Sequence, residues 1–230
     1  MKFLSLAATA ALALALAAPA SAAIFVNGGF ETGDLSGWTF SNGFVNVVSS
    51  ADDSTGNAPF FGEHFTPTGG AWLAQLAAGV DVGTYSLLSQ DFTLAQASTV
   101  SGDAAFLAFD EVTYDDDAFV KIVKSTGEEF LFTRDILDVG SFGHTDWVHF
   151  TSGVLGAGSY TLVAGVRNNP DDPDNFAPSQ LLVDSFSATA ADTGPTDGVP
   201  EPASWALMVV GFGGLGAVLR GRRSGASQAA

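Results

Sequence analysis

The sequence has no cysteine, which removes disulfides, thiol nucleophiles and cysteine-ligated zinc together. Basic residues are scarce. Eight Lys and Arg stand against 25 Asp and Glu, a formal charge of −17, so a surface built to neutralise phosphates is excluded and no nucleic-acid partner is expected. Methionine occurs twice, and the middle of the chain has no 3.6-residue apolar stripe longer than a turn or two. Charged residues make up only 14%, yet a hydrophobic content of 47% is too high for a disordered acidic tail. Gly (27) and Phe (19) are plentiful, which points to sheets and turns rather than helices.

The two ends differ from the middle. Residues 1–22 read as a signal peptide: Lys2 supplies the positive start, Leu4 to Ala18 an apolar run, and Ala20-Ser21-Ala22 small residues for cleavage. Ala203 to Leu219 is an uncharged 17-residue stretch. At about 1.5 Å per residue it just reaches the lower limit for a transmembrane helix. Arg220, Arg222 and Arg223 follow as a membrane stop, which places residues 224–230 in the cytoplasm and the body of the chain outside. Four glycines at 211, 213, 214 and 216 keep the span weakly hydrophobic, as suits a temporary anchor.

The segment VPEPASWALMVVGFGGLGAVLRGRR, residues 199–223, resembles the PEP-CTERM sorting signal of Gram-negative bacteria. Pro200, Glu201 and Pro202 match its tripeptide, Trp205 and Ala206 the pair that follows, and the glycine-rich span with arginines its remaining parts. Gly221 interrupts the usual arginine cluster. The resemblance implies processing by an exosortase, a membrane peptidase or transpeptidase. It also implies passage through the inner membrane, transient anchoring, and release to the cell surface or an exopolysaccharide biofilm matrix. Physically, two prolines without N–H groups hold the tripeptide extended at the membrane face and fix Glu201 as a single charge.

Between the ends, residues 23–188 form a body long enough for one core, followed by a spacer over 189–198. Residues 23–199 hold only four basic residues, Lys121, Lys124, Arg134 and Arg167, against 24 acids, a formal charge of −20. Strands are expected at Trp38–Phe40, Phe44–Ser49, Ala71–Leu76, Tyr85–Leu94, Ala104–Val112, Ala118–Lys124, Glu129–Arg134, Trp147–Phe150, Ser159–Val166 and Gln180–Ala188. About ten such strands predict an all-β, two-sheet jelly-roll sandwich. In Ser159–Val166, alternation puts Tyr160, Leu162, Ala164 and Val166 on one face.

NGGFETGDLSGW (Asn27–Trp38) and the late pair AGSYTLVAGV and QLLVDSFSA look like the first and last strands of a jelly-roll domain of the kind found in carbohydrate-binding modules. That resemblance implies a structural calcium between Glu31 and Asp184. Independently, strict alternation sets Asp184 on the same side as Leu182 and Phe186. A carboxylate among apolar residues needs a cation or hydrogen-bond donors, unless it meets solvent at a shallow rim.

Other groupings carry less. Asp110, Glu111, Asp115, Asp116 and Asp117 read as a solvated acidic loop, and NNPDDPDN (168–175) as a turn-rich crossover that fails the EF-hand pattern. His64, His144 and His149 form no metal-ligand pair, and no G-x-S-x-G elbow occurs. No motif supports an enzyme. The leading expectation is a non-catalytic exported surface or matrix protein. The alternative is a glycan-binding module stacking sugars on Trp72, Tyr114 or Trp147, and the third reading is a polysaccharide hydrolase.

Overall fold

The computed structural model describes residues 24–52, 64–79, 83–168 and 178–191, with Leu207, Val209, Val210 and Phe212 beyond them. The chain divides into Met1–Ala191 and Asp192–Ala230. In the second unit the four described residues are helical and exposed. Among the described residues no helix is long and apolar enough to cross a membrane. The leader, the spacer beyond Ala191, the Pro200–Glu201–Pro202 tripeptide, Trp205, Ala206 and the three terminal arginines lie outside the described residues.

The first unit is a sandwich of two antiparallel five-stranded sheets. Its strands are β1 (Thr39–Ser41), β2 (Phe44–Val48), β3 (Ala51–Asp52), β4 (His64–Phe65), β5 (Leu73–Ala77), β6 (Ser86–Leu94), β7 (Ser98–Leu107), β8 (Asp117–Lys124), β9 (Gly127–Asp135), β10 (Val148–Thr151), β11 (Gly158–Arg167) and β12 (Gln180–Ala190). Sheet I has the order β1-β6-β11-β8-β9 and sheet II the order β10-β7-β12-β5-β2. The β3–β4 hairpin forms a separate two-stranded piece, and a single turn of helix, α1 (Ile136–Val139), follows β9.

Period-two alternation builds the core. On β11, Leu162, Ala164 and Val166 are buried against Val45, Leu76, Phe106, Leu181 and Val183 of sheet II, as their spacing predicts. Each large aliphatic or aromatic side chain buried in this way contributes roughly 1.5–3 kcal/mol. A smaller apolar cluster of Leu73, Ala105, Leu107, Leu182, Ala51 and Phe65 lies on the outer face of sheet II beneath the β3–β4 hairpin.

The ten expected strands exist, with shifted ends, and β3 and β4 are additional. β7 begins at Ser98 and stops at Leu107, not Val112. Its polar start is legible only as one half of the pairing with Ser187–Ala190 of β12. Asn27–Trp38 is not the first strand but a series of turns. Asn27 and Phe30 adopt positive φ, and Phe30, Gly33 and Trp38 each donate their N–H to the carbonyl three residues back.

Two β-bulges break alternation. In β12 the register shifts between Asp184 and Ser187, with Ser185 at φ 56°. Leu182 therefore belongs to the outer cluster while Phe186 enters the main core, so Asp184 shares a face with Leu182 but not with Phe186. In β9, Val120 pairs with Phe132 and Lys121 with Phe130, leaving Leu131 as the extra residue. Phe132 is turned into the core and Phe130 out of it.

Candidate functional site

The first grouping forms where the bulge of β12 meets the 68–72 loop. Asp184 is 0% exposed. Its Oδ2 accepts from the backbone N–H of Thr68 (2.8 Å) and Gly69 (3.1 Å) and from the Thr68 hydroxyl (3.0 Å), and its Oδ1 accepts from Ser185 N–H (2.6 Å). Glu31 Oε1 accepts from the N–H of Ala71 (2.9 Å) and Trp72 (3.0 Å). Two carboxylates from opposite ends of the domain thus hold one loop through its backbone donors. Gly70 permits this: at φ 73°, a Cβ there would lie 2.2 Å from the Glu31 carboxyl carbon. Burial pushes the Asp184 carboxyl above its ordinary value, while the donors of Gly69, Ser185 and Thr68 pull the other way.

Glu31 and Asp184 thus both hold the 68–72 loop, through backbone N–H groups and the Thr68 hydroxyl. Gly29 separates the two side chains, its Cβ position lying 3.8 Å from Asp184 Oδ1 and 3.8 Å from Glu31 Cγ. Among the described residues no group of three or more His, Asp or Glu is arranged to hold a metal. Any cation here would take its remaining oxygens from carbonyls or hydroxyls such as those of Thr68 and Ser185, a hard-oxygen set of the kind calcium accepts.

The second grouping lies across the outer face of sheet I. Tyr85, just before β6, meets Phe119 of β8 edge-on at 5.0 Å between ring centroids, and Phe119 meets Phe130 of β9 at 5.9 Å. Between Tyr85 and Phe119 runs β11, where Gly165 leaves room: a Cβ there would lie 2.7 Å from Phe119 Cζ. Lys121 sits over both phenyl rings, 4.8 Å and 5.4 Å from their centroids, and Arg167 over Tyr85 at 4.8 Å.

Asp117 binds both the Tyr85 hydroxyl and the Arg167 guanidinium. Burial, then the hydrogen bond and charge of Asp117, push the Tyr85 phenol up to about 12 against the opposing pull of Arg167. Phe130 remains 54% exposed. A groove of about 350 Å³ runs beside it, lined on its polar side by Lys121, Thr133 and Arg134 together with Asp117, Asp135 and Asp138. The four basic residues of the body, Lys121, Lys124, Arg134 and Arg167, all stand on strands of this sheet.

The proposed stacking residues lie apart from one another. Trp72 is half-buried against the main core with its indole over Gly33. Trp147 is half-buried at the outer cluster, donates Nε1–H to Thr66 O at 3.0 Å, and meets Phe65 edge-on. Tyr114 is half-buried in a turn closed by its own N–H to Glu111 O. The acidic stretch is a solvated loop only in part: Glu111 and Asp115 are exposed, but Asp116 is 0% exposed and accepts from the Ser179 hydroxyl at 2.5 Å, and Asp117 begins β8 and anchors Arg167. A carboxylate in that position acts as an interior acceptor. His149 stands on β10 and pairs with Asp103 of β7 at 2.9 Å. The 169–177 part of the crossover lies outside the described residues. A wider hollow of about 1280 Å³ is lined by Ile24, Tyr160 and Ala190 among others.

Sequence reasoning missed Tyr85, Phe119 and Phe130. Alternation in β8 does place Phe119 with Lys121, a mixed face opposite the wholly apolar Ala118, Val120 and Ile122, and that was the available signal.

No family model and no curated protein matches the chain. Among solved structures it is similar to a family 61 carbohydrate-binding module in complex with β-1,4-galactotriose, at 18% identity and TM-score 0.47, covering 74% of this chain and 100% of that one. It is also similar to the cleaved adhesin domain K2 of Lys-gingipain, at 18% identity and TM-score 0.43, covering 71% and 96%. A family 16 carbohydrate-binding module follows at 16% identity and TM-score 0.40, covering 72% and 99%.

Proposed function

We propose that this chain is a non-catalytic, glycan-binding surface or matrix protein whose sugar-binding face is the outer surface of sheet I. The observation that carries the reading is Phe130, held 54% exposed by the Leu131 bulge at the end of an aromatic strip beside a groove. Apolar faces of sugar rings stack on such phenyl groups, while donors at the groove edge meet ring hydroxyls. Lys121, which also pairs with Glu128 at 2.9 Å, and Arg134 and Thr133 supply those donors. Of the groove carboxylates, Asp117 is engaged by Tyr85 and Arg167, and Asp135 and Asp138 form the reciprocal cap of α1. That engagement favours binding over hydrolysis.

In affinity electrophoresis through gels containing the native exopolysaccharide or plant polysaccharides, the wild-type chain is expected to be retarded. Phe130→Ala should weaken that retention by at least about tenfold, the equivalent of roughly 1.4 kcal/mol, without lowering Tm. Equal retention of both proteins would remove sheet I as the site.

Export through the inner membrane, processing by an exosortase at Pro200–Pro202 and release into exopolysaccharide belong to the same proposal. The tripartite C-terminal segment supports them. Mass spectrometry of exported material should find a C-terminus near the tripeptide. A chain intact to Ala230 would leave simple anchoring. A structural calcium held by Glu31 and Asp184 is also part of the proposal. It is supported by the hard-oxygen donor set and by a buried carboxylate whose hydrogen-bond partners among the described residues are all neutral.

A further inference from the structure

On the opposite side of the sandwich, the outer face of sheet II ends at the edge strand β2. Register places two rows side by side there. Phe44, Ala77 and Gln180 form the open part of one and Asn46 and Gln75 the open part of the next, while Leu107, Leu182 and Ala105 at their far end are buried in the outer cluster beneath the β3–β4 hairpin. Alternation separates these residues from the core: Val45, between Phe44 and Asn46, is 8% exposed, whereas Phe44 is 61% exposed. Asn46 is exposed as well, and Gln75 and Gln180 are half-buried.

We propose that this patch is a second sugar-binding surface, independent of sheet I, that takes a neutral glycan chain. Three observations argue for that occupant. The Gln75 amide donates to Gln180 Oε1 at 2.7 Å, which fixes both side chains. One carbonyl (Gln75) and one NH₂ group (Gln180) are then left as a neighbouring acceptor and donor, a spacing suited to adjacent ring hydroxyls. Phe44 presents its ring two strands away from Gln180, across Ala77, whose small side chain leaves the floor between them open. Strands are about 4.8 Å apart, so the aromatic and the amide pair span roughly 10 Å, a distance that an extended saccharide segment covers. Finally, neither row contains a charged residue, in a chain of formal charge −17. An acidic polymer or a cationic partner gains nothing at this patch from the charges that dominate the rest of the surface.

With one sugar face on each sheet, a single molecule could bridge two polysaccharide chains. The second surface goes beyond the sheet I reading and does not depend on it, whereas bridging requires both. The test uses the full chain, with Phe44→Ala, Gln180→Ala, Phe130→Ala and the Phe44→Ala/Phe130→Ala double variant. The probes are β-1,4-galactan, arabinoxylan and mixed-linkage β-glucan, with polygalacturonate as the acidic comparator. Retention in affinity gels reports binding, turbidity of dilute polymer reports bridging, and Tm reports folding.

We expect Phe44→Ala and Gln180→Ala each to reduce retention on one neutral polymer by about five- to tenfold at unchanged Tm. Either single aromatic variant should abolish turbidity, and the double variant should abolish retention. Retention lost in Phe44→Ala but kept in Phe130→Ala would uphold this surface and remove the sheet I reading. The reverse would remove this one. Phe44-dependent retention on polygalacturonate alone overturns the neutral class. A wild-type dimer in sedimentation velocity that Phe44→Ala converts to monomer, with retention unchanged, makes a second copy the occupant and overturns the proposal. Failure of every neutral polymer to retain the wild type does so too.

Discussion

Asp184→Ala is expected to cost the sandwich about 3–5 kcal/mol, because the substitution strands several donors at once inside the protein. The backbone N–H groups of Thr68, Gly69 and Ser185 and the Thr68 hydroxyl all end on this one carboxylate. Each buried donor left without an acceptor costs roughly 1–3 kcal/mol, less whatever water recovers after the loop relaxes. For a domain of this size the loss corresponds to a fall in Tm of about 10 °C. Glu31→Gln should cost less, since its carbonyl can still serve the N–H groups of Ala71 and Trp72. If calcium joins the two carboxylates, added calcium raises and chelation lowers the Tm of the wild type, while Asp184→Asn responds to neither. Identical wild-type melting curves with chelator and with excess calcium would remove the metal and leave the donor clamp as the whole explanation.

The second large effect is expected at Gly165. Gly165→Val places a branched side chain where the space belongs to Phe119 and Leu87, whose atoms lie 2.7 Å and 2.9 Å from the position of the new Cβ. Backbone register fixes Gly165 opposite both residues, so the strand cannot move aside. Phe119 must then rotate off β11, which withdraws the ring that Phe130 and Tyr85 lean on. Overpacking of this kind costs about 1–3 kcal/mol. Glycan retention on the sheet I face should fall by more than tenfold, whereas the Phe44 patch on the other sheet should keep its own. Calorimetry and affinity electrophoresis on the same preparation separate the two losses. Wild-type retention in Gly165→Val would mean that the aromatic strip does not form the site.

Much of the architecture was legible in the sequence. Alternation in β8, β11 and most of β12 is a local property: when one face of a strand must be dry, every second residue declares itself, and Leu162, Ala164 and Val166 do so without reference to anything distant. Glu31 and Asp184 were singled out in the sequence only as calcium ligands, through resemblance to a domain type, and not as holders of a loop. The 68–72 loop that both carboxylates hold was not legible, because backbone N–H groups have no sequence signature. Nor was the interior role of Asp116, which depends on Ser179 arriving from 63 residues away.

The amino-acid sequence alone determined the acidic, cysteine-free composition, the two apolar ends, and a β-rich body whose strands carry one buried face. Tertiary structure decided which side chains leave that face. Phe130 and Phe132 have the same parity, yet one lies outside and the other in the core, because Leu131 is extra in the pairing with β8. Ser185 does the same in β12, parting Asp184 from Phe186. A bulge is a mismatch between two strands, so neither strand alone encodes it. The candidate binding face and the carboxylate clamp both depend on such mismatches, and both came into view only once the partner strands were in place.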